Sequence, residues 1–147
     1  MINMQIKNLS ILNADELLGL LRQEQFDCCG LNDFWTESEL KGLLDTSSDI
    51  CLGCFVDEKI IAFCLTHYCS SLHKVYLENM FVREEYRKLG VATTLIIELA
   101  NRYLNHNTDA SIRFVALVDK TNSPARRVLE KAGYVIGNEM FWIQKNG

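Results

Sequence analysis

A single proline, and no tract rich in Gly, Ser or Pro, leave the chain without a readable linker, repeat or internal boundary. The expectation is one domain over residues 1–147, long enough to bury a proper core. Long apolar runs are also missing, and none approaches the roughly 20 residues that cross a bilayer. The opening MINMQIKNLS has no basic start followed by an apolar block, so no secretory signal is read. A cytoplasmic location without a membrane partner is expected. Basic charge is short as well, with 15 Lys and Arg against 19 Asp and Glu, a net charge of −4. A general nucleic-acid binder needs a concentrated basic surface, so no nucleic-acid partner is expected. Apolar residues at 48% and charged residues at 23% argue against disorder.

Metal-site spacing is scarce too. The six cysteines are Cys28, Cys29, Cys51, Cys54, Cys64 and Cys69. Cys51-Leu52-Gly53-Cys54 has CxxC spacing, but it lies in the apolar run ICLGCFV, which reads as a buried strand. Residues three apart on a strand point to opposite faces, so the two thiols should diverge. A zinc site needs a second ligand pair, which Cys64 and Cys69 do not supply. The thiols read as small hydrophobes, and no metal is expected.

What is present is a series of short, mixed elements. Residues 2–8 alternate as a first strand. Asn13 is placed to cap a helix over Ala14–Gln25, with Leu17, Leu18, Leu20 and Leu21 on its apolar face. Thr36-Glu37-Ser38-Glu39 fits a capping box, opening a helix that runs to Leu44. Ile50–Val56 and Lys59–Tyr68 form a hairpin around Asp57-Glu58, and Val75–Val82 is a further strand. After the polar stretch Arg83–Leu89 and Gly90, residues Val91–Leu104 have helical periodicity. Ile112–Val118 is almost continuously apolar, as expected of a strand covered on both faces. Asn122 and Pro124 open a last helix, and Gly133 is placed to close it. Residues 134–145 read as one bent strand or two short ones. The order β-α-α-β-β-β-α-β-α-β predicts a mixed sheet with helices packed on it, an α/β or α+β layout.

The most chemical segment is Arg87-Lys88-Leu89-Gly90-Val91-Ala92, between an apolar strand and an apolar helix. A helix N-terminus presents backbone N–H groups without intrahelical partners, and the macrodipole adds positive potential. Phosphates suit such a site. Gly90 lets the backbone approach a ligand closely, Ala92 keeps the first turn small, and Arg87 and Lys88 add charge. The glycines of the dinucleotide fingerprint and the Lys-Ser/Thr pair of the P-loop are absent.

The stretch VYLENMFVREEYRKLGVATTLIIELA resembles the core of the GCN5-related N-acetyltransferase (GNAT) superfamily, where a strand leads into an R/Q-x-x-G-x-G/A loop. Arg87–Ala92 matches that loop. Asn122-Ser123-Pro124-Ala125, followed by Val128 through Gly133-Tyr134, resembles the family's second signature, Asn-x-x-Ala, a helix and Gly-Phe/Tyr. The resemblance covers residues 74–134. FWTESEL is similar to the ribosomal-protein alanine acetyltransferases, and LENMFV to the diamine acetyltransferases.

The resemblance implies a mostly antiparallel central sheet flanked by helices, with acetyl-CoA as cosubstrate and an amine of a small molecule or peptide as acceptor. It implies that backbone groups of Lys88, Leu89, Gly90, Val91, Ala92 and Thr93, with Arg87 alongside, hold the pyrophosphate. It implies that Met80, Phe81 and Val82 pair with the pantetheine arm, and that an N–H near Met80 polarises the thioester carbonyl. Asn122 matches the family asparagine that contacts the cofactor. Arg126 and Arg127 are within the compass of the adenosine phosphates, or are solvated on an exposed helix face.

Attack on a thioester needs a deprotonated amine, and a nearby carboxylate can take the proton. Glu78 is the candidate. It sits in an otherwise apolar strand, shares a face with Tyr76, Met80 and Val82 under strict alternation, and matches the acidic residue of the diamine acetyltransferases. The alternative is a carboxylate that faces water or pairs with a basic neighbour. The family's usual general-acid tyrosine position is Leu129 here, and a second position for a base is Leu117. Tyr134 matches a packing aromatic. His67, His73 and His106 have no partner at triad or metal spacing; His67 reads as a surface or partly buried structural histidine, or as one lining an acceptor pocket. Trp35, Phe26 and Phe34 lie in the region that lines the family's acceptor side, or anchor the core. A catalytically weak acyl-CoA sensor and a nucleotide-binding domain of another kind are the competing functions. A homodimer is compatible with the sequence.

Overall fold

The computed structural model describes residues 3–27, 35–46, 49–106, 111–118 and 121–137. Among these residues a five-stranded sheet has the order β1-β2-β3-β4-β5, with β1 Gln5–Asn8, β2 Leu52–Val56, β3 Lys59–Cys69, β4 Lys74–Val82 and β5 Arg113–Ala116. The first four strands form an antiparallel meander and β5 runs parallel to β4. A parallel neighbour demands a crossover, supplied by α3, Val91–His106. Helices α1, Ala14–Asp27, and α2, Glu37–Leu44, cover one face of the sheet; α3 covers the other, and α4, Ser123–Lys131, packs against α3. Among the described residues no helix is long and apolar enough to cross a membrane.

Local chemistry accounts for most element ends. Asp57 and Glu58 have φ of 49° and 64°, between paired Val56 and Lys59. Two left-handed residues in a two-residue loop make the turn whose twist suits a hairpin. The last helix ends as its Gly133 suggests. With Gly133 at φ 96°, its N–H bonds Glu130 C=O at 3.0 Å and Tyr134 N–H bonds Leu129 C=O at 2.9 Å, a Schellman pair. Thr36 Oγ1 accepts the Glu39 N–H at 3.1 Å as expected, but its own O–H goes to Glu39 Oε1 at 2.9 Å. Only half of the capping box forms.

Three expectations are corrected. Asn13 does not cap α1. Ser10 caps a 3-10 turn, Ile11–Asn13, that runs straight into the helix, and Asn13 Oδ1 closes the box by accepting Ser10 N–H at 2.9 Å. Ile112–Val118 is not covered on both faces. Ile112 is buried, but β5 itself is exposed to half-buried, and Leu117 is 67% exposed. Residues 134–137 carry no strand, and the rest of the 134–145 reading lies outside the described residues.

The sheet separates two cores. Leu17, Leu18, Leu20, Leu21 and Leu40 pack with Phe55, Phe63, Leu65 and Phe81 on one side. Leu95, Leu99 and Tyr103 pack with Leu52, Cys64 and Val75 on the other. The CxxC pair divides as alternation requires, with Cys51 in the first core and Cys54 in the second. Gly53 between them leaves room that Leu9 and Phe55 occupy, since a Cβ there would meet Leu9 Cδ2 at 2.7 Å. Burial pushes Cys51 and Cys64 up to about 12, whereas the hydrogen bond with Ser71 lowers half-exposed Cys69. Alkylation of the native protein near pH 8, read by peptide mass, should modify Cys69 well before Cys51 and Cys64, because the thiolate is the nucleophile.

Tyr103 ties the second core to the backbone just before β2. Fully buried, its hydroxyl accepts Ile50 N–H at 2.8 Å and lies 2.6 Å from Thr66 Oγ1. Thr66 gives its own proton to Ile50 C=O, so Tyr103 donates to Thr66. Tyr103→Phe strands a buried N–H and a hydroxyl oxygen and should cost about 1–3 kcal/mol in chemical unfolding. Burial also pushes Tyr103 from 10.0 up to about 12. The folded state then holds a proton that the unfolded state has lost. This contribution is complete below pH 10 and disappears as pH rises from 10 through 12, so Tyr103→Phe should lose part of the wild type's alkaline sensitivity.

Candidate active site

β4 loses one of its two partners halfway along. It pairs with β5 from Lys74↔Arg113 to Leu77↔Ala116, and there the ladder stops. On its other side the register with β3 slips at the same point: Leu65 faces Asn79 and Thr66 faces Leu77, so Glu78 is the extra residue of a β-bulge. A bulge reverses the alternation that follows it. Val75 and Leu77 lie on the α3 side, whereas Phe81 stacks on Phe63 on the α1 side, 5.6 Å between ring centres. The shared face expected for Tyr76, Met80 and Val82 therefore does not exist, because Tyr76 falls on the side opposite Met80 and Val82. Glu78 is exposed, so its carboxylate is not buried in the apolar strand.

Beyond the bulge the backbone has a defined orientation. Arg83 N–H donates to Ile61 C=O at 2.8 Å. In an antiparallel ladder alternate residues turn both backbone groups to the same neighbour. Phe81 and Asn79 thus face β3, and Met80 and Val82 face the edge that β5 has left. Phe81 is corrected as a cofactor residue: its backbone is turned to β3 and its ring is buried at 6% exposure. Met80 and Val82 lie on an edge that no strand pairs among the described residues. Val82 C=O is taken by Arg87 Nε at 2.9 Å, which fixes that guanidinium beside the same edge.

The edge leads into the basic loop. Glu84–Tyr86 make a 3-10 turn, then Lys88 and Gly90 adopt φ of 65° and 79°. Left-handed residues interspersed in a loop gather backbone N–H groups into a concave anion site. Val91, Ala92 and Thr93 start α3 with no hydrogen-bond partner for their N–H groups among the described residues, because Gly90 has no side chain to cap them. Gly90 C=O takes Thr94 N–H at 3.0 Å and Thr94 Oγ1 at 2.9 Å, which closes the first turn. Arg87, Lys88 and Leu89 are exposed at the mouth, and Val91 and Ala92 are buried beneath it. These groups suit a phosphate followed by an extended, amide-bearing arm.

The second signature has structural work of its own. Asn122 caps α4, its Oδ1 accepting Ala125 N–H at 3.2 Å. Arg126 and Arg127 are exposed on α4. Leu129 is buried at 6% exposure, and Tyr134 is half-buried, with desolvation pushing its phenol up to about 12.

Two polar contacts were not visible in the sequence. Trp35 Nε1 donates to Asn79 Oδ1 at 2.6 Å, tying the residue before the α2 cap to the residue after Glu78. His67 Nδ1 lies 3.4 Å from Asp49 Oδ1, which also accepts Tyr68 N–H at 2.6 Å. The Asp49 side chain is 4% exposed and His67 is 54% exposed, so the carboxylate orients a ring that faces outward. Phe34 and the side chain of Phe26 lie outside the described residues.

The family description acetyltransferase (GNAT) matches residues 14–134. No curated protein sequence matches the chain. Solved structures do. PaiA N-acetyltransferase from Thermoplasma acidophilum, in complex with coenzyme A, has a TM-score of 0.79 and 17% identity, covering 94% of this chain and 93% of that one. AAC(6')-Iy in complex with the bisubstrate analogue CoA-S-monomethyl-acetylneamine has a TM-score of 0.75 and 18% identity, over 98% and 99%. Ribosomal-protein-alanine N-acetyltransferase from Brucella melitensis has a TM-score of 0.73 and 17% identity, over 97% and 100%. At such identities the likeness is one of fold.

Proposed function

Since the chain belongs to the GNAT family of acetyltransferases, we propose that it transfers an acetyl group from acetyl-CoA to the amine of a small molecule or peptide, by direct attack in a ternary complex. One observation carries this reading: among the described residues the N–H groups of Val91–Thr93 have no partner, and they lie beyond a stretch of β4 edge, at Met80 and Val82, that no strand pairs. Phosphates fit the first and an amide-bearing arm fits the second. The similar folds solved with CoA support the same ligand.

The bound thioester supplies the activated acetyl group. Met80 N–H, on the open edge, polarises its carbonyl, a contribution of about 3 kcal/mol for a typical donor of this kind. Gly90, Val91, Ala92 and Thr93 hold the pyrophosphate through backbone N–H groups, and Arg87 and Lys88 add charge. Glu78, displaced outward by the bulge, takes the proton of the acceptor ammonium directly or through water. Asn122 has its oxygen engaged in the cap, so its amide N–H is what remains for the cofactor. Arg126 stands on the α4 surface as a further phosphate ligand. The thiolate takes its proton from solvent, because buried Leu129 has none to give.

A weak catalyst that senses acyl-CoA is the second reading, and Leu129 favours it. Thiol release from acetyl-CoA across a panel of amines decides between the two. Turnover with any amine supports the transferase. Tight CoA binding without turnover supports the sensor. Thermal stabilisation by ATP or NAD rather than CoA would overturn both.

A further inference from the structure

Asn79 is the residue that the bulge sets next to Glu78, and its amide has only one orientation. An indole N–H donates and never accepts, so the atom 2.6 Å from Trp35 Nε1 is the Asn79 oxygen. Flipping the amide would set two donors against each other. Trp35 is itself partly buried and packed on the core of α1 and α2, so it is a fixed anchor. Among the described residues nothing else bonds the Asn79 amide. Among these residues its NH2 group has two N–H donors and no acceptor.

The location gives those donors a use, on the reading that acetyl-CoA lies along the open β4 edge. The phosphate-binding loop opens α3, and α3 covers one face of the sheet. An acceptor reaching the thioester at Met80 comes from the side of α1 and α2, where Glu78 is exposed and Asn79 is half-buried rather than covered. Asn79 is on that side, opposite Leu65 of the α1 core and one residue from Glu78.

We propose that Asn79 is a specificity-determining residue of the acceptor site. With its oxygen held by Trp35, it presents N–H donors only, and selects amines that carry a hydroxyl or carbonyl oxygen close to the reacting nitrogen. Plain alkylamines and polyamines leave both donors unpaired against an apolar chain. A desolvated donor without a partner is penalised more than a made bond is rewarded, so discrimination falls on substrates that lack the oxygen.

Matched pairs of acceptors test this: an amino alcohol or an amino-acid amide against the alkylamine or diamine of equal length, each with saturating acetyl-CoA. The wild type should favour the oxygen-bearing member by about tenfold or more in kcat/KM, mainly through KM. Asn79→Asp keeps an oxygen for Trp35 but turns a second oxygen outward, so the preference should vanish or invert toward the diamine. Trp35→Phe releases the amide to rotate and should reduce the preference below about threefold while CoA affinity by calorimetry stays unchanged. Equal discrimination in wild type and Asn79→Asp, or no preference in a wild type that turns over, overturns the inference and leaves the transferase standing. A wild type that binds no CoA sinks both. Should Asn79→Asp not fold, Trp35→Phe carries the test alone.

Discussion

Glu78→Gln is expected to lower kcat roughly 10²–10⁴-fold near neutral pH while leaving CoA affinity unchanged. Glutamine keeps the volume and the hydrogen-bonding reach of glutamate but cannot take a proton. A positioned general base is typically worth that factor. The geometry behind the expectation is the bulge. An extra residue at Glu78 interrupts pairing with β3 at the point where β5 ends its ladder with β4, so this carboxylate is the exposed acidic group beside the open edge. The deficit should shrink as pH approaches the pKa of the acceptor amine, because free amine then needs no base. Initial rates against pH for both proteins check this, with calorimetry as the control. A variant within about threefold of wild type throughout would remove Glu78 from the mechanism.

Gly90→Val should weaken CoA binding roughly 100-fold without unfolding the protein. Gly90 has φ 79°, where a β-branched residue is a true outlier, worth about 1–3 kcal/mol of strain. Space is not the obstacle: a Cβ at this position meets nothing within 4 Å. That open space is where a phosphate must sit to reach the N–H groups of Val91, Ala92 and Thr93, so valine acts twice. It obstructs the ligand, and it favours a flip of the loop that scatters the donors. Gly90→Ala should show a smaller loss, from strain alone. Calorimetric titration with CoA and unfolding midpoints for both variants separate these contributions. Unchanged affinity in Gly90→Val would move the phosphate site away from this helix.

Features that depend on a few consecutive residues were legible beforehand. Asp57-Glu58 turns a hairpin, Thr36 caps α2, Gly133 closes α4, and the basic loop stands between a strand and a helix. The divergence of Cys51 and Cys54 followed from strand alternation alone. Alternation misleads at β4, where it puts Glu78, Met80 and Val82 on one face with Tyr76. Nothing within VYLENMFV announces that one residue is in excess of its partners on β3. Phe81 failed for the same reason, since the direction of its backbone is set by Ile61 and Phe63 on another strand.

By itself the sequence determined the order of elements, the strand-loop-helix unit that suits a phosphate, and the family to which two ordered signatures point. These rest on local propensity, capping and periodicity, whose range is a turn or two of chain. Tertiary structure alone decided the Glu78 bulge, the end of the β4–β5 ladder at Leu77, the exposure of the Met80 edge, and the pairs Trp35–Asn79 and Asp49–His67. Each depends on register or contact between residues distant in sequence. Register is chosen by the summed packing of two cores on opposite faces of one sheet, a quantity that no short segment contains.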